Sequence, residues 1–332
     1  MSLTAILSAL IAGGVAVALG AWAFTNAIEW LGHALSLGDR LLGGVLAAWG
    51  TALPELMVPL VAVLGGSSAG HAVGVGAILG APFLLATLAF ALLGATVLAR
   101  ARLGRPRTLV LRSGRTGADL AWFSLLLALA VGVGLPLFHP YRYWAMAVLL
   151  AGYAAYLARA LAGREGAAGS RPERFALWRA ERPPRLGLVV AEAAVAVALL
   201  LAGAEAFVAA VTGLGHSPGL SHVVLAVVLA PLATELPEVM NSVVWTWRGR
   251  DDLALGALTG AMVIQATIGP SLGILLTGWR LGPTEALAAA LTLLAALFFA
   301  LLLGRRPRGP DGVGLIAGLA VYIAFLAAVT RS

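Results

Sequence analysis

The strongest constraint on this chain is a succession of long apolar stretches. Ten of them fit the sequence, near 4–35, 41–64, 71–98, 118–137, 141–162, 186–213, 219–246, 252–278, 284–303 and 313–330. A helix needs roughly 20 mostly apolar residues to cross a bilayer. Inside the hydrocarbon every backbone amide and carbonyl must find its partner within the chain, which leaves only helices and closed barrels. Barrel strands alternate over segments of about ten residues, whereas Leu125 to Val133 and Leu293 to Leu303 are continuously apolar. The reading is an all-α membrane protein with ten transmembrane helices. Composition agrees: 61% of the 332 residues are hydrophobic, 11% are charged and the mean hydropathy is +0.96, whereas soluble domains are about 25% charged.

A formal charge of +7 would suit nucleic acid, but the positions of the charges point elsewhere. All 22 basic residues are arginine, and 19 of them fall on alternate loops: Arg40, Arg100 to Arg115, Arg159 to Arg185, Arg248, Arg250, Arg305, Arg306 and Arg308. The other loops and ends keep Arg142, Arg280 and Arg331. The positive-inside rule puts the arginine-rich loops in the cytoplasm and both termini of a multi-pass cell-membrane protein outside. Nucleic acid is therefore not an expected partner, while membrane lipids are. Asp251 and Asp252, beside Arg248 and Arg250, read as a solvated cytoplasmic turn. The absence of cysteine excludes disulfides and thiol chemistry. The opening MSLTAILSAL carries no basic region ahead of its apolar run and is read as a retained first helix.

The chain also matches itself at an offset of 183 residues, as subtraction of Glu55 from Glu238 shows. Gly20-Ala21-Trp22-Ala23-Phe24 pairs with Gly203-Ala204-Glu205-Ala206-Phe207, and Leu31-Gly32-His33 with Leu214-Gly215-His216. Thr51-Ala52-Leu53-Pro54-Glu55 pairs with Thr234-Glu235-Leu236-Pro237-Glu238. Five spans per half is an odd number, so the second half enters the membrane from the opposite side, as in transporters with inverted-topology repeats. The expected organisation is a first five-helix repeat over 1–163, a cytoplasmic linker over 164–185 and a second five-helix repeat over 186–332.

Glu55 and Glu238 stand within apolar spans, where a charge costs about 2.5 to 3.5 kcal/mol on insertion scales. A proline directly precedes each, removing one amide donor and releasing the carbonyls of Gly50 and Ala233, so broken helices are expected beside the carboxylates. Oxygen ligands of this kind suit a hard cation such as calcium, which takes about 6 to 8 of them. Helical spacing adds Thr51, four residues before Glu55, and Thr234, four before Glu238. It also adds Glu235 and Asn241, three residues on either side of Glu238. Two carboxylates as close as Glu235 and Glu238 set protons against the cation for one place. The bland alternatives are threonines bonded back to their own helices and a Glu235 hydrated in a vestibule.

These segments resemble the α-repeats of the cation/calcium antiporter superfamily, which includes the sodium/calcium exchangers. The resemblance covers nearly the whole chain. It rests chiefly on Gly50 to Glu55 and Ala233 to Glu238, each followed by a glycine-rich helix at Gly76-Ala77-Ile78-Leu79-Gly80 and Gly256-Ala257-Leu258-Thr259-Gly260. It implies a central site walled by the second, third, seventh and eighth spans, with the first and sixth spans sliding to alternate access. Glu55 and Glu238 would be calcium ligands, with Thr51 and Thr234 adding oxygens. Departures are equally informative. Serine commonly precedes Leu-Pro-Glu in the sodium/calcium exchangers, where this chain has Ala52 and Glu235. Their Gly-Ser-Asn type sequence, with a further Asn or Asp, is replaced by Gly80 to Leu85 and Gly260 to Gln265. Gln265 remains a polar ligand candidate and Leu85 does not, so the two halves of the site should be chemically unequal.

The expected function is exchange of calcium for sodium by alternating access, with a proton-coupled calcium or other divalent antiporter as the alternative. Inorganic cations are the transported partners and no cofactor is implied; the sequence fixes no oligomeric state. A channel would need a selectivity filter, which is absent. An enzyme is not expected, since neither HExxH nor GxSxG occurs. Glu29, Glu192 and Glu205 read as water-accessible or snorkelling acids, and His33 and His216 as interfacial or capping residues.

Overall fold

A computed structural model describes residues 3–34, 47–66, 68–111, 116–162, 185–214, 222–249, 251–304 and 311–329. The helices follow the apolar stretches closely: α1 (Leu3–Ala34), α2 (Ala47–Leu64), α3 (Ser68–Leu84), α4 (Phe90–Ala101), α5 (Thr116–Gly132), α6 (Arg142–Ala162), α7 (Leu186–Leu214), α8 (His222–Trp247), α9 (Asp251–Thr277), α10 (Pro283–Gly304) and α11 (Gly312–Val329). A π-helical turn, Leu85–Ala89, joins α3 to α4 in one rod. The chief boundary shift is in α5, expected to reach 137 but ending at Gly132, where Gly132, Gly134 and Pro136 crowd together and favour turns.

Among the described residues, six helices are long and apolar enough to cross a membrane: Thr4–Phe24, Gly70–Ala101, Leu186–Val211, Ala254–Thr277, Pro283–Gly304 and Gly312–Val329. Glu55–Leu64 and Thr116–Gly132 are shorter apolar stretches. Among the described residues the sole β feature is an isolated bridge between Thr108 and Asp311.

The expected helix breaks at Pro54 and Pro237 do not occur, because α2 and α8 are helical throughout. A proline forfeits one hydrogen bond of the ladder, and the remaining turns hold when packed between neighbours.

The largest apolar core lies among α3 to α6 and α8 to α10, around Phe90, Phe123, Met262 and Phe299. A smaller one, around Ile6, Val58, Val73 and Phe207, lies where α1 and α7 meet the rest. These two helices pack more broadly on each other than any other pair. They run antiparallel and almost backbone to backbone: a Cβ on Gly13 would lie 2.8 Å from Gly203 O, and one on Gly20 3.0 Å from Ala196 O. Small residues permit such an approach between helices in lipid.

Loops gather at two ends. At one, Arg105 Nη1 donates to Trp247 O at 2.5 Å and Arg107 Nε to Asp311 Oδ1 at 3.3 Å. At the other, Leu281 N donates to Gly134 O at 3.2 Å, and His139 Nε2 lies 2.6 Å from Gly278 O. The arginine-rich loops that are described thus share one end.

Candidate cation site

Three helices bring polar side chains together inside the bundle: α2 supplies Glu55, α8 supplies Thr234, Glu235 and Glu238, and α9 supplies Gln265. One carboxylate oxygen from each of Glu55, Glu235 and Glu238 lies within 4.8 Å of the others. Glu55 is 8% exposed, Glu235 fully buried and Glu238 half-buried. The helical repeat explains the α8 set, since residues three apart share a face.

Gln265 ties two helices to its own. Its Nε2 donates to Glu55 Oε2 at 2.9 Å and to Glu235 Oε2 at 3.0 Å. Both amide hydrogens are thereby used, and the buried Gln265 Oε1 accepts no hydrogen bond. Thr234 Oγ1 donates to Glu235 Oε1 at 3.5 Å. Three carboxylates at this separation, two of them buried, cannot all stay charged without a cation or protons among them, because like charges repel strongly at low dielectric. Carboxylate and amide oxygens in that number form a donor set suited to a hard divalent ion.

Of the residues singled out in the sequence, Glu55, Glu235, Glu238, Gln265 and Thr234 meet here. Glu235 is fully buried and bonded to Gln265 within the cluster. The side chains of Thr51, Ala233, Asn241, Glu29 and His33, and the surroundings of Gly50, lie outside the described residues, as do His216 and the linker over 164–184. Glu192 is 2% exposed, contrary to the water access expected of it, because α7 turns that face onto its neighbours; Glu205 is exposed. Asp251 is also corrected: it is 1% exposed and paired with Arg100, whereas Arg248 and Gly249 beside it are exposed as a solvated turn would be. No spacing signals that pairing in the sequence, since the two residues lie 151 positions apart.

The matched position, just past the end of α3, is Leu85, which is fully buried and opens the π turn. An apolar crevice runs beside the site between α2 and α9, lined by Leu56, Pro59, Leu60, Gly269, Leu272 and Gly273 among others.

Comparison with known proteins places this arrangement. The H+/Ca2+ exchanger CAX superposes with a TM-score of 0.74 at 20% identity, over 98% of this chain and 84% of that one. Native YfkE gives 0.68 at 12% identity, over 98% and 100%. The sodium-calcium exchanger NCX_Mj gives 0.58 at 19% identity, over 98% and 99%. At these identities the likeness shows the fold. A membrane protein of Methanocaldococcus jannaschii is 41% identical over 68 residues, 20% of this chain and 22% of that protein's length. The family described as sodium/calcium exchanger protein matches residues 5–162 and 189–331. The chain belongs to the sodium/calcium exchanger protein family.

Proposed function

We propose that this protein is a calcium antiporter working by alternating access, with protons as the counter-ion. The observation that carries the reading is the trio of Glu55, Glu235 and Glu238, two of them buried and one half-buried, with one oxygen of each within 4.8 Å of the others. A site with three carboxylates is neutralised either by a divalent ion or by protons, and exchange of one for the other is the reaction it is built for. In this reading Glu55, Glu235 and Glu238 bind calcium, Thr234 and Thr51 add hydroxyl oxygens, and Gly50 and Ala233 add carbonyls. Asn241 is assigned an outer position. Half a turn of the Gln265 amide offers Oε1 to the ion in place of the two bonds Nε2 gives the carboxylates.

Sodium is the second reading, favoured by the family match over both halves. Against it stands the chemistry of the site: Ala52, Glu235 and Leu85 replace the hydroxyl and amide oxygens that sodium sites use.

The architecture we assign is ten spans in two inverted five-helix halves, 1–163 and 186–332, joined by a cytoplasmic linker at 164–185. Separate family matches on either side of that linker support it, as does the antiparallel pairing of α1 with α7, which the internal repeat equates. Both termini are then external, and the arginine-rich end faces the cytoplasm and its anionic lipids.

Calcium uptake into sealed vesicles under separately imposed pH and sodium gradients tests the coupling. A pH gradient should drive uptake without sodium, and Glu238→Gln should abolish it. Uptake that needs sodium and ignores pH selects the second reading. For orientation, a cysteine placed at residue 170 of this cysteine-free chain should resist an impermeant thiol reagent added to intact cells; labelling from outside reverses the topology.

A further inference from the structure

Arg100 is one residue from the end of α4 and 2% exposed, and Asp251 opens α9. They meet as a fork on a fork, Nη1 to Oδ1 and Nη2 to Oδ2 both at 2.7 Å. Other bonds run from the pair to backbone, while Arg100 Nε is buried without a partner. Arg100 Nη1 donates to Thr246 O at 2.5 Å and Nη2 to Thr108 O at 3.2 Å, while Asp251 Oδ2 accepts from Val110 N at 2.8 Å. Arg105 donates to Trp247 O beside it. Thr246 and Trp247 end α8, where carbonyls lack partners within the helix and cations are favoured, and Asp251 stands where α9 favours an anion.

One ion pair therefore binds together the end of α4, the segment after it, the end of α8 and the start of α9. Both helices of the α8–α9 hairpin carry site residues. At about 1.5 Å per residue the pair lies about 12 Å along α8 from Glu238 and about 21 Å along α9 from Gln265. Between pair and site, Ser242 Oγ donates to Ala254 O at 3.3 Å, a further bond between α8 and α9 near the turn. The α1–α7 pair takes no part in these bonds.

We propose that Arg100 and Asp251 are positioning residues for the cation site: their ion pair locks α8 and α9 in register against α4, keeping Gln265 within reach of Glu235 while α1 and α7 move. The inference rests on the antiporter reading above. A permanent strut fits the bonding better than a gate, because separating the partners strands a buried guanidinium and a buried carboxylate.

The test uses the full-length protein, with calcium binding measured by titration on purified samples and transport in vesicles. Arg100→Gln and Asp251→Asn should each weaken calcium binding about tenfold, as loss of groups that orient ligands commonly does. The double variant should bind no worse than the weaker single, the mark of residues acting as one unit. Folded variants that melt earlier but bind calcium as the wild type does overturn the proposal and leave a stability role alone. Should the singles not fold, the pair Arg100→Cys and Asp251→Cys, bridged by a bifunctional thiosulfonate reagent, replaces the ion pair by a covalent strut. Bridging should restore affinity and permit turnover; arrest of transport on bridging, reversed by a reductant, shows a gate and overturns the strut. A wild type that binds no calcium sinks the antiporter reading itself, which separates the two failures.

Discussion

The repeat-matched halves of the site share a frame and differ in chemistry. On α2 the motif reads Thr51-Ala52-Leu53-Pro54-Glu55, and its neighbour α3 is followed by Leu85, buried at the mouth of a π turn. On α8 it reads Thr234-Glu235-Leu236-Pro237-Glu238, and its neighbour α9 offers Gln265, bonded to Glu55 and Glu235 at once. Two of the three acids and the described amide thus come from the second half. The packing is unequal too: α3 lies broadly on α8, whereas the seam between α2 and α9 is narrow and holds the apolar crevice. A pseudo-symmetric frame can carry alternating access while one half supplies most of the ligands.

The largest break is expected where the halves agree. Glu55→Gln or Glu238→Gln removes one charge from the cluster and should lower calcium transport by about a hundredfold or more, since affinity at oxygen sites follows the count of charged ligands. Melting temperatures should stay near the wild type, because a neutral amide is easier to bury than a carboxylate. Wild-type uptake in either variant, measured in the same vesicles, removes the central site from these residues.

Next comes the substitution that copies the first half onto the second. Gln265→Leu reproduces Leu85 and withdraws the donor from Glu55 and Glu235, whose bonds at 2.9 and 3.0 Å are each worth about 1.5 to 3 kcal/mol as hydrogen bonds to charged groups. Calcium binding should weaken about tenfold. Isothermal titration checks it, and unchanged affinity means that the site is as apolar on α9 as on α3.

A smaller effect is expected at Glu235, where the first half has Ala52. Under the proposed proton coupling, protons and calcium compete for the same oxygens and affinity should fall as pH is lowered. With Glu235→Ser one competing carboxylate is gone, and the dependence of affinity on pH should flatten. If the slope is untouched, Glu235 plays no part in exchange; if sodium dependence appears as well, the serine found in sodium/calcium exchangers accounts for the coupling ion.

Much of this was legible in the residues. Apolar length placed most helix ends, because the bilayer fixes how many residues a span needs. The repeat located Glu55 and Glu238, and spacing nominated Glu235 and Thr234. Other features depend on packing that spacing cannot express. Pro54 and Pro237 read as breaks, yet neighbouring helices hold the ladder through both. Arg100 and Asp251 read as solvent-facing because they lie 151 residues apart, on segments each rich in charge. Burial of Glu192 likewise depends on which face α7 turns toward its neighbours.

The smallest expected effect is at Thr234, whose counterpart in the first half is Thr51. Its hydroxyl is 3.5 Å from Glu235 Oε1, at the long edge of hydrogen bonding. If that contact is all it does, Thr234→Val removes a weak bond, costs under about 1 kcal/mol and leaves calcium affinity alone. If the hydroxyl also takes a place around the ion, valine removes a ligand of the same shape and affinity drops about threefold to tenfold, while Thr234→Ser, which keeps the oxygen, stays near the wild type. We expect the second outcome, because Thr234 shares its helix face with Glu238 and calcium needs more oxygens than three carboxylates and one amide supply in single contacts. Calcium titrations on the two variants at one pH decide the matter. Equal affinities for valine and serine exclude the hydroxyl from the site, and with it the matched hydroxyl of Thr51 loses its main support.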